Sequence, residues 1–149
     1  MQYLVLLSSL LLGATAAPVE QRQAPSGVVS SFTAHTDLDA NGGGLIAFDF
    51  ELAGRVSTHC SYTDTDSGSG VPSVPLIPCD DPAVRWEFFH EPPQGAPYRL
   101  VIVYTPATGA ETYSQGLLEG DFREVSFSPN STDGFVYVGE PKFEAYRVD

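Results

Sequence analysis

The chain has 149 residues, with 19 acidic and 7 basic side chains and a net charge of −12. A surface this acidic repels phosphate backbones and argues against nucleic acid as a partner. Twelve prolines and fourteen glycines argue against long helices.

At the start, Leu4 to Leu12 forms an apolar run broken only by Ser8 and Ser9, followed by Gly13-Ala14-Thr15-Ala16-Ala17. A short apolar core ending in an Ala-x-Ala site is the pattern of a secretory signal peptide, and it predicts residues 1–16 as a leader cleaved after Ala16. The run is too short for a membrane span, which takes about 20 apolar residues. No later stretch is apolar enough to anchor the chain, so a soluble, extracellular protein without membrane association is expected. Residues 17–27 carry two prolines and no apolar periodicity, and predict a flexible N-terminal tail ahead of one domain over 28–149.

Within that domain, short β-like runs alternate with Gly, Pro, Asp and Asn clusters. Val28 to Ala34 is the first. Leu45 to Leu52 places Ile46, Phe48, Phe50 and Leu52 on one face and Ala47, Asp49 and Glu51 on the other. Thr58 to Tyr62 carries Cys60. Val84 to His90 sets Val84, Trp86, Phe88 and His90 against Arg85, Glu87 and Phe89. Tyr98 to Thr105 is β-branched and aromatic on both faces, which predicts a central, well-covered strand. Thr112–Leu118, Phe122–Ser128, Phe135–Val138 and Phe143–Val148 complete about nine strands. The expectation is an all-β, single-domain antiparallel barrel or sandwich, without repeats. Residues 63–79 read as one long loop.

The two cysteines, Cys60 and Cys79, are expected to bridge in an oxidising compartment. A loop of roughly 20 residues closed this way gains about 3 kcal/mol. No third cysteine is present, so any dimer would be non-covalent.

Asp37-Leu38-Asp39-Ala40-Asn41-Gly42 matches the first half of a calcium loop. The twelfth position is Phe48 where a bidentate Glu is required, and Asp, Asn and Gly equally suit a hairpin turn. A turn is the expectation, with Asp37, Asp39 and Asn41 as the candidate cation ligands otherwise; Asp64-Thr65-Asp66 is a weaker echo. His90-Glu91 runs into Pro92-Pro93, so no zinc-protease helix can form there. Glu87 and Glu91 offer two carboxylates, but four residues apart on a strand they lie about 13 Å from each other. No metal or cofactor site and no catalytic residue is expected. Trp86 and the tyrosines are possible stacking platforms, and more often packing. Asn130-Ser131-Thr132 is an N-glycosylation acceptor in a polar segment.

Phe32, the alternation Ile46-Ala47-Phe48-Asp49-Phe50, the pair Cys60-Ser61, then Cys79, Trp86-Glu87-Phe88, Leu100-Val101-Ile102 and the closing Tyr146-Arg147-Val148 follow in order. In this order and spacing the chain resembles the small secreted fungal β-barrel proteins typified by the major Alternaria allergen. The resemblance runs from about Val28 to Val148. It implies that Cys60–Cys79 is the first intrachain disulfide of that family, joining neighbouring strands. The family's second pair and its intersubunit cysteine have no counterpart. It also implies an effector- or elicitor-like protein that binds a plant protein or small molecule outside the cell, without catalysis. The alternatives are a carbohydrate-binding module or small hydrolase, and a structural protein of the spore or wall surface.

Overall fold

A computed structural model describes residues 26–37, 43–65, 70–90, 97–126 and 134–148. The leader 1–16, residues 17–25 of the expected tail, Asp39, Asn41, Glu91 and Asn130 lie outside them.

Ten strands are present among the described residues: β1 (Ser26–Asp37), β2 (Gly43–Leu52), β3 (Val56–Thr63), β4 (Val74–Pro78), β5 (Val84–His90), β6 (Tyr98–Tyr104), β7 (Glu111–Leu117), β8 (Phe122–Val125), β9 (Gly134–Tyr137) and β10 (Phe143–Val148). Eight of them run in the order β3-β2-β1-β10-β7-β6-β5-β4, each neighbour antiparallel, and form a nearly closed barrel. The remaining two, β8 and β9, form a ladder of their own that joins the barrel through β9 and β1.

Alternation explains the walls. Ile46, Phe48, Phe50 and Leu52 of β2, Val84, Trp86 and Phe88 of β5, Leu100 and Ile102 of β6, and Tyr113 of β7 all point inward and are buried. Burying each such side chain contributes about 1.5–3 kcal/mol. Strand β6 is central, between β5 and β7, but only its inner face is fully covered; Val101 and Val103 on its outer face are half-buried.

Two elements differ from the sequence reading. The segment expected to be loop from 63 to 79 contains β4, which pairs with β5 through Val74–Phe88, Ile77–Trp86 and Pro78–Arg85. Pro75 and Pro78 hide the strand from propensity reasoning, yet proline is tolerated on the last strand of a sheet, where one edge needs no donors. The first strand also begins at Ser26, inside the expected tail. Ser26 and Gly27 pair with Tyr146 and Ala145 of β10, so the barrel claims them.

Strand β1 changes partner partway along. Up to Val29 it pairs with β10; beyond a bulge between Ser30 and Thr33 it meets β9 at His35. Ser31 sits in the bulge at φ 55°, and the Phe32 amide donates to the Pro141 carbonyl at 2.9 Å. A bulge bends its strand and re-aims a side chain. Here it turns Phe32 into the core and carries the rest of β1 toward the β8–β9 ladder. The connection from β1 to β2 is a hairpin whose ends, Asp37 and Gly43, face each other; a Cβ at Gly43 would run into the Asp64 carbonyl.

The barrel closes between β3 and β4 without a ladder. Cys60 and Cys79 are bonded there, with Cα atoms 4.3 Å apart, near the spacing of a non-hydrogen-bonded antiparallel pair. Next to them the Asp80 amide donates to the His59 carbonyl, and the Asp81 amide to the Thr58 hydroxyl, both at 2.9 Å.

Candidate binding cleft at one end of the barrel

At the end of the barrel where β5 finishes and β6 begins, the interior opens into an aromatic series. Trp86 meets Phe48 edge-on at 5.0 Å, Phe48 faces Phe32 at 6.1 Å, and Phe32 meets Tyr137 at 4.7 Å. Tyr137 lies 5.3 Å from Phe122, and Phe122 lies 4.4 Å from Tyr98, which stacks on Phe88 at 5.7 Å. Each link lies in the range where ring quadrupoles favour tilted, edge-on or offset packing. The series joins the barrel core to the underside of β8 and β9.

A cleft of about 140 Å³ lies at the outer end of this series. Val71, Tyr98, Phe122 and Phe135 give it an apolar lining, while Glu119, Arg123 and Glu124 bring charge to its mouth. The 3₁₀ turn Glu119–Asp121 sets the position of β8: the Asp121 carboxylate accepts the Leu118 amide at 3.1 Å, and the Asp121 carbonyl accepts the Val138 amide at 2.8 Å. Burial, aided by the Glu119 charge, raises the Tyr98 phenol above its usual value. Tyr137 is pushed up to about 12, by burial first and then by Asp121 and Glu140; its hydroxyl donates to the Glu140 carbonyl at 3.0 Å. Both phenols therefore stay neutral hydrogen-bonding groups over the ordinary pH range.

The opposite end holds a charged clamp. Arg55, in the β2–β3 turn, grips Glu111 with two bonds of 2.7 and 2.8 Å, and the Tyr113 hydroxyl donates to the same carboxylate at 2.7 Å. Arg147 stands 3.7 Å away and the Arg55 guanidinium lies 5.1 Å over the Tyr104 ring. These bonds, Arg55 first, hold the Glu111 carboxyl down at about 2. The clamp ties β2–β3 to β7 and β10. Its carboxylate is fully engaged, which suits a structural role.

A third group lies on the outer wall. His59 Nδ1 is 2.8 Å from Asp49 Oδ1, and the hydrogen bond from His59, then one from Ser31, lowers the Asp49 carboxyl. Serine, histidine and aspartate are thus together, but the hydroxyl meets the carboxylate instead of the imidazole. A nucleophile needs its base in direct contact, so this arrangement does not activate Ser31.

Cys60 and Cys79 are where the sequence reading put them, bonded at the barrel seam. Glu87 points outward from β5, away from the interior. Trp86 and Tyr113 are wholly buried, so they act as packing, not as platforms; Tyr146 is exposed on β10. Asp37 ends β1; the rest of the expected turn, residues 38–42, lies outside the described residues. Among the described residues, no three His, Cys, Asp or Glu side chains gather as metal ligands do. The cleft itself was not legible in the sequence, because it is built from four separate segments. No family model matches the chain, and no curated protein matches it significantly.

Proposed function

We propose that this protein is exported and acts by binding, with the cleft under β8 as the site that receives an aromatic group of a host protein or small molecule. The observation that carries this reading is the union of aromatic rings and charged side chains around one cavity on a cross-linked barrel. Ligand sites commonly join ring faces, which supply contact area, to a small number of placed polar groups, which fix orientation. A volume of about 140 Å³ is close to that of cavities that accept a single benzene ring. The engaged state of Glu111 and the order Ser31–Asp49–His59 support binding over turnover. The resemblance to secreted fungal effector-like barrels points the same way.

Tyramine, a ring with a positive charge, is the probe. At roughly −0.3 kcal/mol or better per heavy atom it should bind in the millimolar range. Titration into isotope-labelled protein should shift the Tyr98, Phe122 and Phe135 resonances, and Phe122→Ser should abolish the shifts. Saturating tyramine that leaves these three residues unmoved refutes the cleft as a binding site.

A further inference from the structure

Among the described residues, strand β8 pairs on one side only, and its sole strand partner is β9. The Val138 amide donates to the Asp121 carbonyl, which fixes the phase of this ladder. The hydrogen-bonded pairs are then Arg123–Val136 and Val125–Gly134, because such pairs alternate along an antiparallel ladder. The main-chain groups of Phe122 and Glu124 must therefore point to the other edge. The Phe122 amide is used there by the Glu119 carbonyl. Among the described residues, the Phe122 carbonyl and both the amide and carbonyl of Glu124 remain without a main-chain partner. These belong to two of the residues that line the cleft.

We infer that the cleft takes an extended peptide segment of a partner protein, which adds to β8 as a third strand and places one aromatic side chain against Tyr98, Phe122 and Phe135. The inference rests on the binding reading above and specifies its ligand. An unpaired edge offers an acceptor, a donor and an acceptor at strand spacing, and such edges recruit extended chains by main-chain bonds, with pockets for alternate side chains giving selectivity. The Glu124 amide and carbonyl exchange two bonds with one residue of the guest. In a strand, successive side chains point to opposite faces, so the aromatic anchor is flanked by residues directed toward the mouth. Glu119 and Glu124 stand at that mouth with only Arg123 opposing them, on a chain with net charge −12. Charge complementarity makes the flanking residues lysine or arginine.

Selection of phage-displayed random heptapeptides on the whole protein tests this. Enriched peptides should carry a central Phe, Tyr or Trp next to Lys or Arg, and tyramine should compete with them. N-methylation of the guest residue that faces Glu124 should weaken binding at least about tenfold, since it removes a main-chain donor and blocks the close approach of the strands. Glu124→Pro should do the same from the protein side, and the methylated peptide gives the result even if that variant folds poorly. Tyramine shifts without any enriched peptide overturn strand addition and leave a small-molecule cleft standing. Enriched peptides that tolerate N-methylation also overturn it, while the aromatic pocket survives. A dimer of the protein alone that Glu124→Pro dissociates would make the guest a second copy and overturn the assignment to a partner. If neither tyramine nor peptides bind, both readings fall together.

Discussion

The amide of Asp80 donates to the carbonyl of His59 at 2.9 Å, across the line where β3 and β4 meet without a ladder. One residue away on each strand, Cys60 and Cys79 make the covalent link. The barrel is thus fastened at this seam by a staple, one main-chain bond and one bond to the Thr58 hydroxyl, whereas each neighbouring pair along the eight-strand path has several paired residues.

Removing the staple should be costly but local. Cys60→Ser with Cys79→Ser should lower the unfolding free energy by about 3 kcal/mol, within a range of 2–5. Urea denaturation followed by the fluorescence of Trp86, the chain's single tryptophan, measures it. Hydrogen exchange should accelerate first at Asp80 and Asp81. Amides of β6 and β7 that exchange by global unfolding should accelerate by the same lost free energy; Asp80 and Asp81 accelerating no more than these would show that the seam is not locally loosened.

The clamp at the far end makes stability depend on acid. Glu111 has a folded value of about 2 against an ordinary 4.5. A carboxyl depressed on folding contributes stability above its unfolded value, and that contribution is lost as pH falls through the folded one. The denaturation midpoint should therefore fall between about pH 4.5 and pH 2, and this part of the fall should be missing in Glu111→Gln. Parallel pH profiles for the two proteins would contradict the assignment.

Tyr137 works in the opposite direction. Its folded value of about 12 exceeds the ordinary 10, so its contribution is present below pH 10 and declines as pH rises toward 12. Ultraviolet titration should show a phenol ionising late, and Tyr137→Phe should remove that late component.

Trp86 is fully buried, and its indole Nε1 has no hydrogen-bond partner among the described residues. Trp86→Ala should cost about 3–5 kcal/mol from the cavity it leaves. Trp86→Phe also removes the unpaired donor, whose burial is itself unfavourable by about 1–3 kcal/mol. The phenylalanine variant should therefore lose less than about 2 kcal/mol. Equal losses in both would mean that the indole donor is satisfied in solution.

Gly43→Ala should destabilise by more than about 1 kcal/mol, because the new methyl meets the Asp64 carbonyl and not a side chain able to turn aside. Gly54→Ala serves as the contrast: nothing lies within 4 Å of its Cβ position, and its φ of 70° is the only obstacle.

Much of the wall was legible in the sequence, because alternation in β2 and β5 reports a face directly: Phe48, Phe50, Trp86 and Phe88 are all inside. The disulfide followed from having only two cysteines. What escaped has physical causes. Pro75 and Pro78 disguised β4, since their effect depends on which sheet edge they occupy, a property of the assembled fold. Arg55 and Glu111 lie 56 residues apart, and nothing near either in sequence announces the other. The cleft joins Val71, Tyr98, Phe122 and Phe135, four apolar residues that read locally as ordinary core.

The bulge at Ser31 has a consequence for the order of assembly. Because β1 pairs with β10 on one side of it and meets β9 on the other, the first strand has its complete set of neighbours only once the last third of the chain exists. A nascent chain emerging from the ribosome can form the β1–β2–β3 meander early, but one edge of β1 stays bare until residues up to 148 arrive. Contacts of such long sequence separation slow folding, and a bare edge invites pairing with other chains. The wall contains β1 and the cleft is tied to it through β9, so the two should appear in a single late step, as one cooperative unit.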